Sequence, residues 1–199
     1  MQGHQIASLK RHAVRAFKRV VMVAPRKQVG FTLVEAMMVV CILAILLGTA
    51  VPSFLGFQER YRLEGLALEL VADIHFLRSE AVARNIGLRL SFSTDAGGTC
   101  YLLHTGNAGD CRCSSDGTAQ CNNSSSSMIK SVGLTTTSGI RIQANVLSML
   151  FDPGRGTTTP AGSVNFIGNS GKAIRHVVNI AGRTRTCSPE ASVSGYKIC

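Results

Sequence analysis

This chain is built around the stretch Gly30-Phe31-Thr32-Leu33-Val34-Glu35 and the apolar run that follows it to Ala50. From Phe31 to Ala50 there are twenty residues, and Glu35 is the only charged one. A helix of about 20 apolar residues is long enough to cross a bilayer. The preceding residues, 1–30, contain seven Lys and Arg and no Asp or Glu. This asymmetry predicts that the start of the chain stays in the cytoplasm and that the rest crosses the membrane.

Glu35 is a carboxylate one turn inside an apolar span, and the residues alone allow two interpretations. In the first, the acid merely benefits from the helix macrodipole, which favours a negative charge in the first turn by about 0.3–1 kcal/mol. In the second, Glu35 meets a positive charge in the membrane, where an unpaired charge is costly. Cleavage after Gly30 would create one, the α-amino group of Phe31. Pairing with the amino terminus of a neighbouring chain would set the axial register between subunits.

The residues Lys27-Gln28-Val29-Gly30-Phe31-Thr32-Leu33-Val34-Glu35 resemble the type III signal of type IV pilins and pseudopilins. In these proteins a prepilin peptidase cuts after the glycine and methylates the new amino-terminal Phe, and the fifth mature residue is Glu. Pro52 also fits, because these proteins often have a proline at that point of the long first helix. The resemblance implies a filament subunit that is cut after Gly30, N-methylated at Phe31, and dependent on Phe31 and Glu35 for filament assembly.

The same resemblance divides the chain into three parts. We expect residues 1–30 to be a leader removed by the prepilin peptidase, residues 31–53 a transmembrane and filament-core helix, and residues 54–199 a periplasmic pilin-like domain. Leaders of this family are usually short, and a start at Met22 would shorten this one, so the true start stays open between Met1 and Met22. The expected location is the inner membrane, crossed once, with the carboxyl-terminal domain in the periplasm, and then the pilus.

Charge is unevenly distributed along the chain. The formal net charge of +10 includes the seven bases of the expected leader, and the remainder has fourteen Lys and Arg against eleven Asp and Glu. Residues 31–129 contain six bases and nine acids, whereas residues 130–199 contain eight bases and two acids. A basic carboxyl-terminal half favours a polyanionic partner.

Six cysteines follow the span, and an even number in an exported domain predicts disulfides. Cys187 and Cys199 are near each other and far from the rest, so we predict that they pair. The others should form two bridges whose pairing stays open: Cys100, Cys111, Cys113 and Cys121. A zinc site formed by Cys111, Cys113 and His104 is the alternative, but it lacks the CxxC-like spacing of structural zinc sites. We therefore predict no metal site.

The segment after Pro52 has the pattern of a continuing helix over residues 54–86, ending at Asn85-Ile86-Gly87 with Gly87 as the left-handed cap. Its apolar residues recur at spacings of three and four, which indicates one buried stripe. The residues of this stripe are Leu63, Leu66, Leu70, Ile74, Leu77 and Ala81.

Beyond Gly87 the sequence changes to a β-rich pattern over residues 87–199. Alternating or glycine-bounded apolar segments predict strands at residues 88–92, 100–105, 140–143, 146–151, 164–167 and 174–180. Segments rich in Gly, Ser, Asn and Thr predict loops at residues 106–127 and 153–162. The predicted fold is therefore α+β: a long amino-terminal helix, membrane-spanning in its first half, packed on antiparallel β-sheet.

No catalytic or cofactor motif is evident in the sequence. His75, His104 and His176 have no Ser, Cys or acid partner at the spacing of a known motif, and there is no phosphate-binding loop. We therefore expect neither enzyme activity nor a cofactor.

The motif Gly182-Arg183-Thr184-Arg185 is a candidate binding site between the last predicted strand and Cys187. In extended chain Arg183 and Arg185 point the same way, about 7 Å apart. Two guanidinium groups on one side suit phosphate oxygens, and Gly182 allows the backbone to approach a ligand closely. The alternative is that two arginines on an edge strand only discourage aggregation through that edge. Three further bases are candidates to extend the patch: Arg175, Lys172 and Lys197.

From Leu63 to its end, the chain is similar to the GspH/FimT family of minor pilins and pseudopilins. The segment Arg78-Ser79-Glu80-Ala81-Val82 looks like part of that family's second half-helix. The tail, from Gly182-Arg183-Thr184-Arg185 to Cys187 and Cys199, looks like that of FimT members, in which a GRxR tail is associated with DNA binding. The resemblance implies a minor pilin of a type IV pilus that binds extracellular double-stranded DNA, without sequence specificity, in natural transformation.

Two other functions fit the same residues. The chain could be a minor pseudopilin of a type II secretion system, or a priming minor pilin needed for pilus assembly or twitching, in both cases without DNA binding. The expected partners are the other pilins of the filament, the prepilin peptidase, the inner membrane before assembly and, for the first function, double-stranded DNA.

Overall fold

The computed structural model describes residues 30–199, except for the side chains of residues 50–53. The expected leader, up to residue 29, therefore lies outside the described residues. The chain divides into two compact units, one ending at Gly48 and one running from Thr49 to Cys199.

Helix α1 (Leu33–Arg84) is capped at its start by a side chain and at its end by a residue in the left-handed conformation. At its start, Thr32 Oγ1 accepts a hydrogen bond from the backbone N of Glu35 (3.2 Å), which satisfies one of the free amides of the first turn. At its end, Asn85 has a φ of 54°, and Ile86 N donates to the carbonyl of Ala81 (3.2 Å). The left-handed cap is therefore Asn85 and not Gly87, because asparagine tolerates this conformation and ends the helix two residues earlier.

In the first unit, the helix exposes a continuous apolar surface. Leu33, Met38 and Ile45 are each more than half exposed. By length and composition, α1 is able to cross a membrane.

In the second unit, one face of α1 is completely buried. The buried residues of this face are Leu63, Ala67, Leu70, Ile74, Leu77 and Ala81. This is the predicted stripe with one change, since Ala67 is buried where Leu66 was expected and Leu66 is only partly buried. All the fully buried apolar side chains among the described residues lie between Leu63 and Val193, so this unit has a complete core and can fold without the first.

The strands are all paired antiparallel and follow the helix. Their bounds are β1 Leu88–Asp95, β2 Gly98–Thr105, β3 Cys111–Cys113, β4 Ala119–Cys121, β5 Met128–Thr135, β6 Ile140–Ala144, β7 Ser148–Phe151, β8 Thr158–Thr159, β9 Gly162–Gly168, β10 Ala173–Val178 and β11 Thr184–Cys187. One sheet has the order β5-β2-β1-β7-β8, a second β11-β10-β9-β6, and a third is the hairpin β3-β4. The α+β fold predicted from the sequence is thus confirmed.

Several strands lie where the sequence predicted none. The segment 128–135 forms β5, which is half-buried along most of its length and therefore lacks an apolar alternation. The predicted loop 106–127 contains the hairpin β3-β4, and the predicted loop 153–162 contains the short β8. These strands are held by backbone pairing and disulfides, which leave no hydrophobic period in the sequence.

The hairpin β3-β4 packs on a small core of its own, which consists mostly of cysteine side chains. Disulfides join Cys100 to Cys113 and Cys111 to Cys121. The sequence alone had left this pairing open. Cys100, Cys111 and Cys113 are buried with Leu102 in a cluster separate from the main core.

Candidate nucleic-acid interface

The motif Gly182-Arg183-Thr184-Arg185 lies at the turn between β10 and β11. Asn179 closes this turn: its backbone N donates to Arg183 O (3.1 Å), its carbonyl accepts from Gly182 N (2.8 Å), and its Oδ1 accepts from Arg183 N (2.9 Å). Gly182 has a φ of 69°, which any residue with a Cβ would adopt at a cost. The backbone before Arg183 is therefore fixed by the turn.

Gly182 is also buried against two other segments. A Cβ at this position would lie 2.8 Å from the carbonyl oxygen of Gly156 and 3.2 Å from Cδ of Arg78. The close approach that the sequence assigned to a ligand is therefore made to the protein itself.

Strand β11 and the residue just before it present two arginines to solvent. Arg183 and Arg185 are exposed, whereas the intervening Thr184 and the following Thr186 are half-buried. Thr186 Oγ1 lies 2.9 Å from Nδ1 of the buried His176 on β10. This alternation places the two arginines on the same face, as the sequence predicted.

The tail of the chain lies beside the end of β11, which is the edge strand of its sheet. The structure joins Cys187 to Cys199, the pair that the sequence predicted. Ser188 N donates to Lys197 O (2.8 Å), and Ser188 forms a parallel bridge with Ile198. Lys197 is exposed next to this edge.

Of the other two bases predicted to extend the patch, the structure brings one to the same face. Arg175 lies opposite Cys187 in the register of β10 and β11, and its Nε donates to Asn165 Oδ1 (2.7 Å). Lys172 belongs to the other set of alternating residues and lies near Glu59 of α1. There the amide of Ser170 lowers the pKa of Glu59, and the charge of Lys172 lowers it further. Lys172 is thus not part of the surface formed by the two arginines.

Two arginines that sequence reasoning did not select lie close to the turn. Arg78 of α1 donates from Nε to the Gly156 carbonyl (3.1 Å), and Arg155, next to Gly156, is exposed. No local pattern marks them, because they are 105 and 28 positions before Arg183 in the sequence. Conversely, Lys130 is bound to Glu69 and Asp73 (both 2.8 Å), so this base of the carboxyl-terminal half is neutralised.

The residues considered for zinc are engaged in other interactions. Cys111 and Cys113 are both in disulfides. The ring of His104 lies 2.8 Å from Ser91 Oγ through Nε2 and 2.8 Å from the Thr105 carbonyl through Nδ1, and burial lowers its pKa. Within residues 30–199, the structure has no group of three or more His, Cys, Asp and Glu arranged to hold a metal.

The residues of the predicted processing signal lie at the accessible start of the described chain. Gly30 and Phe31 precede the helix, and Phe31 is 79% exposed. Glu35 is exposed in the first turn, and among the described residues it forms no ion pair with a basic side chain. The peptide bond after Gly30 is therefore open to a protease, and the Glu35 carboxylate is open to a partner.

A membrane-length helix that begins with this signal and continues into an antiparallel α+β domain is the architecture of a type IV pilin-like subunit. The model of the family described as "Type II transport protein GspH" matches residues 66–182, more than half of the chain. The model of the prokaryotic N-terminal methylation motif matches residues 25–51. The chain therefore belongs to the GspH family, and it is a minor pilin or pseudopilin of a type IV pilus or a type II secretion system.

The chain is similar to solved structures at low sequence identity, and the match to FimU shows the same fold. The type IV minor pilin FimU of Pseudomonas aeruginosa is 18% identical with a TM-score of 0.50, and the match covers 69% of this chain and 99% of FimU. The minor pseudopilin EpsH from the type 2 secretion system of Vibrio cholerae is 13% identical with a TM-score of 0.45, over 64% of this chain and 97% of EpsH. No curated protein matches the chain by sequence. The family match ends at Gly182, so residues 183–199 lie beyond it.

Proposed function

We propose that this chain is a minor pilin of a type IV pilus that binds double-stranded DNA through Gly182-Arg183-Thr184-Arg185 during DNA uptake. The observation that supports this proposal is the pair of exposed arginines, Arg183 just before the edge strand β11 and Arg185 on it, in a segment fixed at both ends. The Asn179 turn holds one end and the Cys187–Cys199 disulfide the other. A fixed backbone reduces the entropy lost when the two guanidinium groups bind phosphate.

Binding of this kind should depend on the DNA backbone and not on base sequence. Arg183 and Arg185 lie on a short exposed edge, and within residues 30–199 neither of them is carried by a helix that could enter the major groove. Contacts made only to phosphates carry no sequence information and release counterions. The affinity should therefore be micromolar or weaker and fall steeply with salt.

The amino-terminal half of the proposal concerns assembly. A prepilin peptidase would cut after Gly30 and methylate Phe31. Before assembly the chain would be anchored in the inner membrane with its second unit in the periplasm. The Glu35 carboxylate would then pair with the amino terminus of a neighbouring pilin as the subunit enters the filament, because an unpaired charge at this depth is costly.

A pseudopilin of a type II secretion system is the second candidate function, since the matching family carries the description of a type II transport protein. A pseudopilin has no need of free arginines at an edge, so in that case Arg183 and Arg185 would only prevent edge-to-edge association. A priming minor pilin without DNA binding would have the same surface for the same reason.

DNA binding by the folded domain distinguishes these functions. Residues 58–199, oxidised, should be titrated into a fluorescent 30-base-pair duplex and followed by anisotropy at 0.05 and 0.15 M NaCl. Arg183→Gln with Arg185→Gln should weaken binding and reduce the slope of log K against log salt by about one for each lost contact. The matched control is Arg112→Gln with Arg141→Gln, which removes the same charge from two other exposed arginines.

Equal weakening by both double variants would mean that general basicity explains the binding. If the wild-type domain does not bind, with its disulfides intact, the pseudopilin function becomes the better proposal. If binding is restored only in assembled filaments, avidity between subunits is required.

A further inference from the structure

Three distant segments meet at the turn that carries the proposed DNA-binding motif. They are helix α1 at Arg78, the loop of residues 152–157, and the turn of residues 179–183. Thr158 N donates to the carbonyl of Ile180 (2.8 Å), and two residues further on Gly156 O faces Gly182. Residues 156–158 and 180–182 therefore run antiparallel. The next residue beyond this contact is an arginine in each segment, Arg155 in the loop and Arg183 in the turn.

Arg78 connects the helix to both of these segments. Its Nε donates to the Gly156 carbonyl (3.1 Å), and its Cδ and Nε lie 3.2 and 3.3 Å from where a Gly182 Cβ would be. The stem of Arg78 is thus packed against glycine backbone, which leaves it half-buried and oriented. Its terminal nitrogens make no hydrogen bond within the described part of the chain, so the outer end of the fork is available to an anion.

No ion pair compensates the positive charge of the arginines where these three segments meet, within the described residues. Among the described residues, no salt bridge joins a carboxylate to Arg78, Arg155 or Arg183. The carboxylates nearest in sequence to Arg155 and Arg78 make other contacts: Asp152 Oδ1 accepts from the backbone amides of Gly154 and Arg155 in its own loop (both 3.0 Å), and Glu80 is paired with Arg84. Within residues 30–199, three guanidinium groups thus come together without a carboxylate partner, and such a group suits a chain of phosphates because a guanidinium can bind two oxygens at once.

We propose that Arg78, Arg155 and Arg183 form one phosphodiester-binding corner, over which the DNA backbone passes from the motif of β11 toward helix α1. This inference rests on the proposed DNA binding and assigns it two further contact residues. It also gives Gly156 and Gly182 a role in the site, because only residues without a Cβ allow the Arg78 side chain to lie between the loop and the turn.

The test compares Arg155→Gln with Arg141→Gln in residues 58–199, using the same 30-base-pair duplex between 0.05 and 0.3 M NaCl. Both arginines are exposed, and Arg141 lies on β6, which is at the opposite edge of the sheet from β11 and about 14 Å from that strand across three strand spacings. Losing one phosphate contact lowers the salt slope by about 0.9, which makes binding about eightfold weaker at 0.1 M salt if affinities are equal at 1 M. We expect that loss for Arg155→Gln and no change for Arg141→Gln.

Arg78→Gln and Arg78→Lys extend the test to the helix, with thermal unfolding to verify the fold. The lysine variant keeps the positive charge but lacks the planar guanidinium group that can donate two hydrogen bonds. It should therefore retain more affinity than the glutamine variant. Because Arg155 is exposed, the conclusion does not depend on the Arg78 variants folding.

The outcomes separate this inference from the proposed function. If Arg183→Gln with Arg185→Gln weakens binding but Arg155→Gln behaves like Arg141→Gln, the corner is refuted and the motif stands. If Arg141→Gln weakens binding as much as Arg155→Gln, general basicity replaces the corner. If the wild-type domain does not bind the duplex even at 0.05 M NaCl, DNA binding by the single domain is refuted, and this inference fails with it.

Discussion

Lowering the pH from 7.0 to 4.5 should destabilise the second unit through His176. This side chain is completely buried between α1 and the sheet, with its Nδ1 2.9 Å from Thr186 Oγ1 and its ring edge-on to Phe166 at 6.1 Å. Burial lowers its pKa to about 4, and the backbone of Ala67 offsets this only in part. Within the described residues, Nε2 makes no hydrogen bond of normal geometry, so a second proton on the ring is poorly accommodated.

The size of the effect follows from the difference between the folded and unfolded pKa values. In the unfolded chain the pKa of histidine is about 6.5, so between pH 6.5 and 4 the unfolded state binds the proton and the folded state does not. The contribution of His176 to stability is therefore complete above pH 6.5 and decreases as the pH falls toward 4. From pH 7.0 to 4.5 this amounts to about 2 kcal/mol of unfolding free energy.

Urea unfolding of residues 58–199 with intact disulfides, followed by circular dichroism at both pH values, measures this loss. The matched variant is His176→Asn, whose amide can replace Nδ1 toward Thr186 but does not titrate. The variant should be less stable at pH 7.0 because a cavity remains, yet it should lose about 2 kcal/mol less on acidification.

An equal acid loss in wild type and His176→Asn would refute the reasoning. Burial also lowers the pKa of His104, so the same comparison for His104→Asn shows whether that ring contributes.

The other predictions concern processing, assembly and the tail. In a host with its prepilin peptidase, intact-mass measurement should show a chain beginning at methylated Phe31, and a persistent start at Met1 or Met22 would contradict this. Glu35→Val should insert and be cleaved but enter filaments poorly, and normal incorporation into sheared pili would argue against pairing with a neighbour. Peptide mapping without reductant should find Cys187 joined to Cys199, whereas a free thiol at either would show the pairing to be wrong. Replacing both by serine should cost about 3 kcal/mol, since the bridge spans a sequence separation of 12.

The features that sequence predicted well are those with a local physical signature. The buried stripe from Leu63 to Ala81 follows from the helical period, which one missing or added residue would disrupt. Arg183 and Arg185 could be placed on one face because side chains alternate in an extended chain. The Cys187–Cys199 pair followed from proximity in the sequence alone.

The features that sequence did not predict depend on contacts between distant segments. Cys111 and Cys113 share one face of β3, yet their partners differ, because the register with β4 brings Cys121 opposite Cys111 and leaves Cys113 to Cys100. Strand β5 was missed because its place at a sheet edge half-buries most of its residues without alternation. The sequence assigned Arg78 only to the helix, and its contacts depend on Gly156 and Gly182, which are far from it in the sequence.

The cysteine cluster of the hairpin β3-β4 predicts an order in which folding and disulfide formation take place. Apart from Leu102, this cluster consists of cysteines, whereas the helix and the two larger sheets share an apolar core that includes none of them. We therefore expect the main core to assemble while the thiols are still reduced, and residues 106–127 to become fully ordered after an oxidant has acted. A brief exposure to reductant should then release this segment to proteases and leave the helix–sheet body intact, so that protection of the hairpin reports the oxidation state of a subunit that is otherwise already folded.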